Sequence, residues 1–423
     1  MSIIKSLRLQ YKSNPRVKQV VGLFSVNVVA IPIGIVTSIV ITRYLGAQGY
    51  GDFRFIYSIF FTAVIIFSFG FFQAGNRALV LNTDKQKAKE YYGAELVIVG
   101  GIFVIMSFFL ILYALLDNNI QEKQLDKFLL YLIPFGWVFL VLRYFETLFQ
   151  ADNRIKMLSQ IRLYPSVGFL ATATLIFFIF MEKQLNKLAI IWIFNLATQV
   201  IVYLFILFKL KVSFKNIRIR FLEIWSYNKS YGFNVYLGTL FAIGFASLTE
   251  LLISYFGVDN SGLGYYSLAL TITMPLSLIP NTIATTHYKD FSIAKQVPKK
   301  LLIITIGLSL SALLVLWLMV GPFVRIFYGV EFENVIVLNF IMSFGVAAHG
   351  FADFFNRYLG ANGQGKFLRN SAFFVGTSTL VFSLLLIPKL GEFGAAYTKL
   401  ISGFVYLVVI IWYYFKFIKK QSL

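Results

Sequence analysis

Residues 20–41 read VVGLFSVNVVAIPIGIVTSIVI, a run without a single ionisable side chain. As an α-helix rising about 1.5 Å per residue, it matches a hydrocarbon core roughly 30 Å thick. A basic leader precedes it, with Lys5, Arg8, Lys12, Arg16 and Lys18. That order is superficially the start of a signal peptide. The run is too long for one and has no small-residue cleavage site, so it reads as a retained spanning helix.

Comparable runs recur along the chain. Spans are expected at 20–42, 53–73, 91–116, 128–150, 163–181, 187–208, 231–256, 265–286, 300–320, 333–356, 371–388 and 396–415, with short polar breaks between them. The composition agrees: 58% of the 423 residues are hydrophobic and only 13% charged, a balance no soluble domain hides in one core. Backbone groups in lipid need partners inside their own segment, which forces helices, because a barrel would show ten-residue alternating strands. The fold class read from this is an all-α polytopic membrane protein with about 12 transmembrane helices. No room remains for a soluble catalytic domain. With no cysteine, disulfides and thiolate metal sites are excluded, and no metal or other cofactor is expected.

Most of the 38 basic residues fall in the termini and the even-numbered loops, which places both termini in the cytoplasm. The largest cluster, Lys209, Lys211, Lys215, Arg218 and Arg220, sits midway. The net charge of +20 is accounted for by this asymmetry and by attraction to anionic membrane lipids, not by nucleic acid.

The central basic stretch divides the spans six and six, and the halves carry a weak internal repeat. Tyr44-Leu45-Gly46-Ala47 followed by Gly49-Tyr50-Gly51 matches Tyr255-Phe256-Gly257-Val258 followed by Gly262-Leu263-Gly264. At nearly the same offset, Arg143 through Lys156 matches Asp353 through Lys366. Six spans between equivalent points give halves of like orientation. The expected layout is therefore a six-helix lobe at 1–208, a basic cytoplasmic linker at 209–230 and a second lobe at 231–423, as parallel repeats around a central cavity.

Three motifs in register carry a family resemblance. Arg43-Tyr44-Leu45-Gly46-Ala47-Gln48-Gly49-Tyr50-Gly51-Asp52-Phe53, Tyr358-Leu359-Gly360-Ala361-Asn362-Gly363 and Pro388-Lys389-Leu390-Gly391-Glu392-Phe393-Gly394-Ala395-Ala396 resemble turns of one superfamily branch. That branch is the polysaccharide branch of the multidrug/oligosaccharidyl-lipid/polysaccharide (MOP) exporters. The resemblance covers essentially the whole chain and implies a Wzx-type flippase of O-antigen or capsule repeat units. Its substrate would be an undecaprenyl-diphosphate-linked oligosaccharide, moved from the cytoplasmic to the periplasmic leaflet of the bacterial inner membrane. Read from the residues alone, the glycines permit positive φ and tight reversal between helices.

Ionisable groups inside spans are costly and so are candidates for function. Arg143, Glu146 and Gln150 share one face of span four, and His349, Asp353 and Asn356 make the corresponding stripe of span ten. Both are expected to line the cavity, although Arg143 pairing with Glu146 is the structural alternative. A diphosphate calls for guanidinium forks, for which Arg43, Arg54, Arg77 and Arg357 are candidates. Arg77 aligns with His287, a pairing placed at the cytoplasmic mouth. Glu250, with no basic neighbour in sequence, is the candidate for proton or sodium coupling; Glu95 is expected at the interface. Pro32 and Gly34 in span one, and Pro275 and Pro280 in span eight, are the candidate hinges.

Competing readings are a membrane glycosyltransferase or polymerase, a small-molecule or drug cation antiporter of the same superfamily, and a non-transport component of a polysaccharide assembly complex. The first lacks a sizeable loop with a catalytic constellation. Polysaccharide polymerase and glycosyltransferases are expected partners of the pathway.

Overall fold

The computed structural model describes residues 15–82, 84–181 and 186–421; Lys5, Arg8 and Lys12 of the leader, and the side chains of Arg16 and Lys18, lie outside the described residues. Among the described residues the ordered elements are all helical, with no strand. Among the described residues eight helices are long and apolar enough to cross a membrane, and a bent pair makes a ninth. Two of the eight, Pro15–Phe67 and Gly365–Gln421, are each broken by a glycine at positive φ, Gly46 (φ 73°) and Gly391 (φ 56°). Splitting these, and counting the helical run 228–256 once, gives the twelve spans that the hydropathy implies. It is a multi-pass membrane protein.

The first reversal is tighter than the sequence implies. A ten-residue loop was expected between spans one and two, yet the helix breaks only at Gly46 and resumes at Ala47. The amide of Ala47, left without a helical partner by the break, donates to the Glu331 carboxylate at 2.9 Å, a remote side chain serving as the cap. Span four, expected as one helix, is instead broken between Asp126–Phe135 and Trp137–Ala151 with a 46° bend. Pro134 and Gly136 lie at this joint, where a helical hydrogen bond is lost. The four candidate hinges sit differently. Pro32 and Gly34 lie in unbroken helix, Pro280 is interior to Pro275–Thr286, and Pro275 opens that helix beside the turn at Met274.

The chain divides into two compact units, 1–44 with 63–237 and 45–62 with 238–423. Within the first, a ring cluster of Tyr92, Tyr144, Phe145, Phe149 and Tyr203 fills the core. The basic stretch after span six contains a helix, Ile217–Tyr227, held in this unit by ion pairs. Arg220 Nε meets Glu90 Oε2 at 2.8 Å, Arg220 Nη1 meets Glu223 Oε2 at 2.8 Å, and the Tyr91 hydroxyl donates to Glu223 at 2.6 Å. Burial opposes ionisation of Glu223, but the Tyr91 hydroxyl and the Arg220 guanidinium outweigh it and hold the carboxyl below its ordinary value.

In the second unit the two repeated glycine motifs meet. A Cβ on Gly51 would overlap the Asn260 carbonyl, and one on Gly264 would overlap the Ala47 carbonyl. These glycines therefore serve close helix approach, not the chain reversal expected of them. The other repeat match is borne out in backbone geometry. Asn153 (φ 52°) and its equivalent Gly363 (φ 71°) both end their helices in the left-handed region. The next amide reaches back five residues in each case, Arg154 to Phe149 O at 2.8 Å and Gln364 to Leu359 O at 3.0 Å.

Candidate functional site: buried charge in the membrane helices

A polar cluster lies in the second unit, between the helix Glu333–Ala361 and the last helix. Gly345 and Gly403 let these two backbones touch, since a Cβ on Gly345 would overlap Lys399 O and one on Gly403 would overlap Gly345 O. Asp353 accepts from the Tyr406 hydroxyl at 3.1 Å, and that hydroxyl accepts from Asn356 Nδ2 at 2.8 Å. The His349 ring lies 4.8 Å from the Tyr406 ring. Thus the stripe His349, Asp353 and Asn356 converges on one residue, Tyr406, that sequence reasoning did not single out. Lys399 and Arg357 direct positive charge at Asp353. Arg357 is exposed and reaches Asn281 Oδ1 at 3.4 Å. Lys399 was overlooked although it falls inside an expected span, the same signal that singles out Arg54, Arg143, Glu146, Glu250 and Asp353.

Arg54 and Glu250, assigned separate roles from sequence, form one ion pair at 2.8 Å, with side chains 24% and 13% exposed. The guanidinium also lies over the Tyr57 ring at 5.5 Å. The first unit treats its own stripe differently. Glu146 is taken by Arg162, at 2.8 Å and 3.0 Å, and not by Arg143. Arg143 is half-buried and Gln150 is exposed. The partner was hidden because Arg162 lies one residue outside expected span five. Arg77 is exposed and lies over the Tyr231 ring at 5.7 Å, and His287 Nδ1 stands 2.9 Å from Ile283 O. Arg43 is exposed near the first break.

Glu95 is a correction. Expected at the interface, it is 0% exposed, and neither carboxylate oxygen has a hydrogen-bond partner among the described residues. Gly75 makes the room, because any side chain there would overlap the Glu95 carboxylate. Among the described residues no cluster of three or more His, Cys, Asp or Glu offers a metal site.

A family model described as polysaccharide biosynthesis protein matches residues 17–288, more than half of the chain. The chain belongs to that family. Its fold is that of MOP-superfamily transporters. The lipid II flippase MurJ in an inward closed conformation superposes with a TM-score of 0.72 at 13% identity, covering 95% of this chain and 89% of that one. A multidrug resistance MATE transporter of the MOP superfamily, inward-facing, gives 0.71 at 14% identity, with 93% and 96% covered. An outward-facing MATE transporter gives 0.59 at 13% identity, with 97% and 98% covered. No curated protein matches by sequence. At these identities the structures establish the shared fold of this family member.

Proposed function

We propose that this family member is a flippase for undecaprenyl-diphosphate-linked oligosaccharide repeat units, carrying them from the cytoplasmic to the periplasmic leaflet of the bacterial inner membrane. Membership of the polysaccharide biosynthesis family over residues 17–288 carries the reading, and the fold shared with a lipid II flippase supports it. Alternating access is the proposed mechanism, in keeping with neighbours of this fold known in inward-facing and outward-facing conformations. Both termini are placed in the cytoplasm by the lysine and arginine bias. O-antigen or capsule assembly is the proposed pathway, with a polymerase and glycosyltransferases as partners.

Chemistry assigns the roles. A diphosphate losing its hydration shell needs positive charge and donors in compensation. Lys399, Arg357 and Asn356 offer these around Asp353, whose own charge keeps the site from binding an anion irreversibly. His349 and Tyr406 add polar ring edges. Arg143, Glu146 and Gln150 are the proposed counterpart in the first unit, while Arg43, Arg54, Arg77 and His287 are proposed contacts on the route of the head group. Proton or sodium coupling is proposed for Glu250 held by Arg54, and Pro32, Gly34, Pro275 and Pro280 are the proposed points of bending.

Deletion of the gene in its host tests the flippase reading: lipid-linked repeat units accumulate on the cytoplasmic face, and complementation clears them. Normal repeat-unit distribution in the deletion strain overturns it. A cation antiporter is the second reading, favoured by the equal likeness to the MATE fold. It predicts gradient-driven cation efflux from proteoliposomes without lipid-linked sugar.

A further inference from the structure

The first unit carries an open apolar groove of about 690 Å³ between the segment 124–135 and the helix Lys187–Leu210. Its size is that of a small-molecule site, roughly 300–1,000 Å³. One wall presents Phe128, Tyr131 and Phe135, spaced as one helical stripe, and the other presents Ala189, Ile193 and Ala197. From Asn186 to Val200 the second wall runs about 20 Å at 1.5 Å per residue, somewhat more than one leaflet's hydrocarbon half of about 15 Å.

The groove is polar at one end only. Gln124, Lys127 and Asn186 line that end, and Lys127 is the one charged residue among the described residues of the lining. Asn186 Oδ1 is used as a helix cap, accepting from the Ala189 amide at 3.0 Å, and Lys127 supplies the positive charge at this end for an incoming head group. Tyr131 and Ile193, 75% and 61% exposed, face outward where lipid would lie.

We propose that this groove binds one acyl chain of an anionic phospholipid, with the phosphodiester at Lys127. An amphiphile is required because the walls are apolar along their length and cationic at one end. A singly charged phosphodiester fits the single ammonium of the described lining, whereas a diphosphate calls for guanidinium forks, of which that lining has none. A groove of one leaflet's depth fits an acyl chain, not a polyprenyl tail several times longer. The inference does not depend on the flippase reading.

Native mass spectrometry of the full-length protein, delipidated and then titrated with phosphatidylglycerol or phosphatidylcholine, tests it. Wild type retains phosphatidylglycerol about fivefold more strongly, as expected from one lysine near an anionic head group. Lys127→Gln loses that preference but still binds both lipids, and Ala197→Trp, which fills the groove, loses the tightly held lipid of either kind. Retention of the preference in Lys127→Gln, or unchanged binding in Ala197→Trp, overturns the site. Displacement of phosphatidylglycerol by undecaprenyl phosphate at lower concentration overturns the assigned occupant. Thermal-shift measurements on the same samples guard against misfolding: phosphatidylglycerol raises the Tm of wild type more than that of Lys127→Gln, and equal shifts in two folded proteins count against the proposal.

Discussion

At the scale of the residue, the useful distinction is between charges that are already paired and charges held ready. The Arg54–Glu250 pair is short and mostly shielded from solvent. Removing one partner leaves an uncompensated charge in a poor solvent, at a cost of about 1–3 kcal/mol after allowance for the residual exposure. Glu250→Ala is therefore expected to lower thermal stability, while the Arg54→Met, Glu250→Leu double variant regains most of it; equal stability of single and double variants in a thermal melt removes the pair as a structural tie. The Asp353 cluster is different, since Lys399 and Arg357 both direct positive charge at Asp353 and neither forms a salt bridge with it among the described residues. Lys399→Ala and Asp353→Asn are expected to cut flipping in proteoliposomes at least tenfold, the loss of one charge-assisted contact, with folding intact. Arg143→Ala should fall less, because its stripe neighbour Glu146 is engaged by Arg162. Unchanged rates in Lys399→Ala, Asp353→Asn and Arg143→Ala together would remove these stripes from the mechanism.

At the scale of the element, glycines decide where helices touch. Gly51 and Gly264 sit where the two copies of one motif cross, each against a backbone carbonyl of the other. A side chain there must separate the helices, so Gly264→Leu is expected to destabilise by about 1–3 kcal/mol, read as a lower Tm in detergent. The helix Ile217–Tyr227 depends on charge instead. Because the Glu223 carboxyl titrates below its ordinary value in the folded protein, its contribution is full above the unfolded value of about 4.3 and is lost as pH falls through the folded one. Hydrogen exchange should show amides of this helix losing protection on acidification through the carboxylate range. Glu223→Gln should lack that transition, and an identical pH profile in the two proteins would exclude this role.

At the scale of the whole molecule, the proposed ion coupling makes transport depend on an ion gradient. Collapse of the proton and sodium gradients in proteoliposomes is expected to slow flipping; an unaltered rate of the purified protein would remove the coupling role from Glu250. How much of this molecule was legible beforehand differs by level. Spans, helical class and repeat were readable because lipid imposes them on each segment separately: length, apolarity and internally satisfied backbone are local properties. The turn 151–154 and its partner 361–364 likewise kept their equivalence, since a helix end in the left-handed region depends on a few consecutive residues. Partners were not readable. Glu146 chose Arg162 over Arg143, Glu250 found Arg54 almost two hundred residues away, and Tyr406 gathered three residues of another helix. Glu95 shows the same limit most plainly, for its complete burial depends on Gly75 of a neighbouring helix leaving space for it. The amino-acid sequence by itself determined that this chain crosses the membrane repeatedly in two related halves, because hydropathy acts along the chain. Only the tertiary structure decided which charges meet and which glycines join helices, because a hydrogen bond or a backbone contact is made across space between segments whose order carries no record of it.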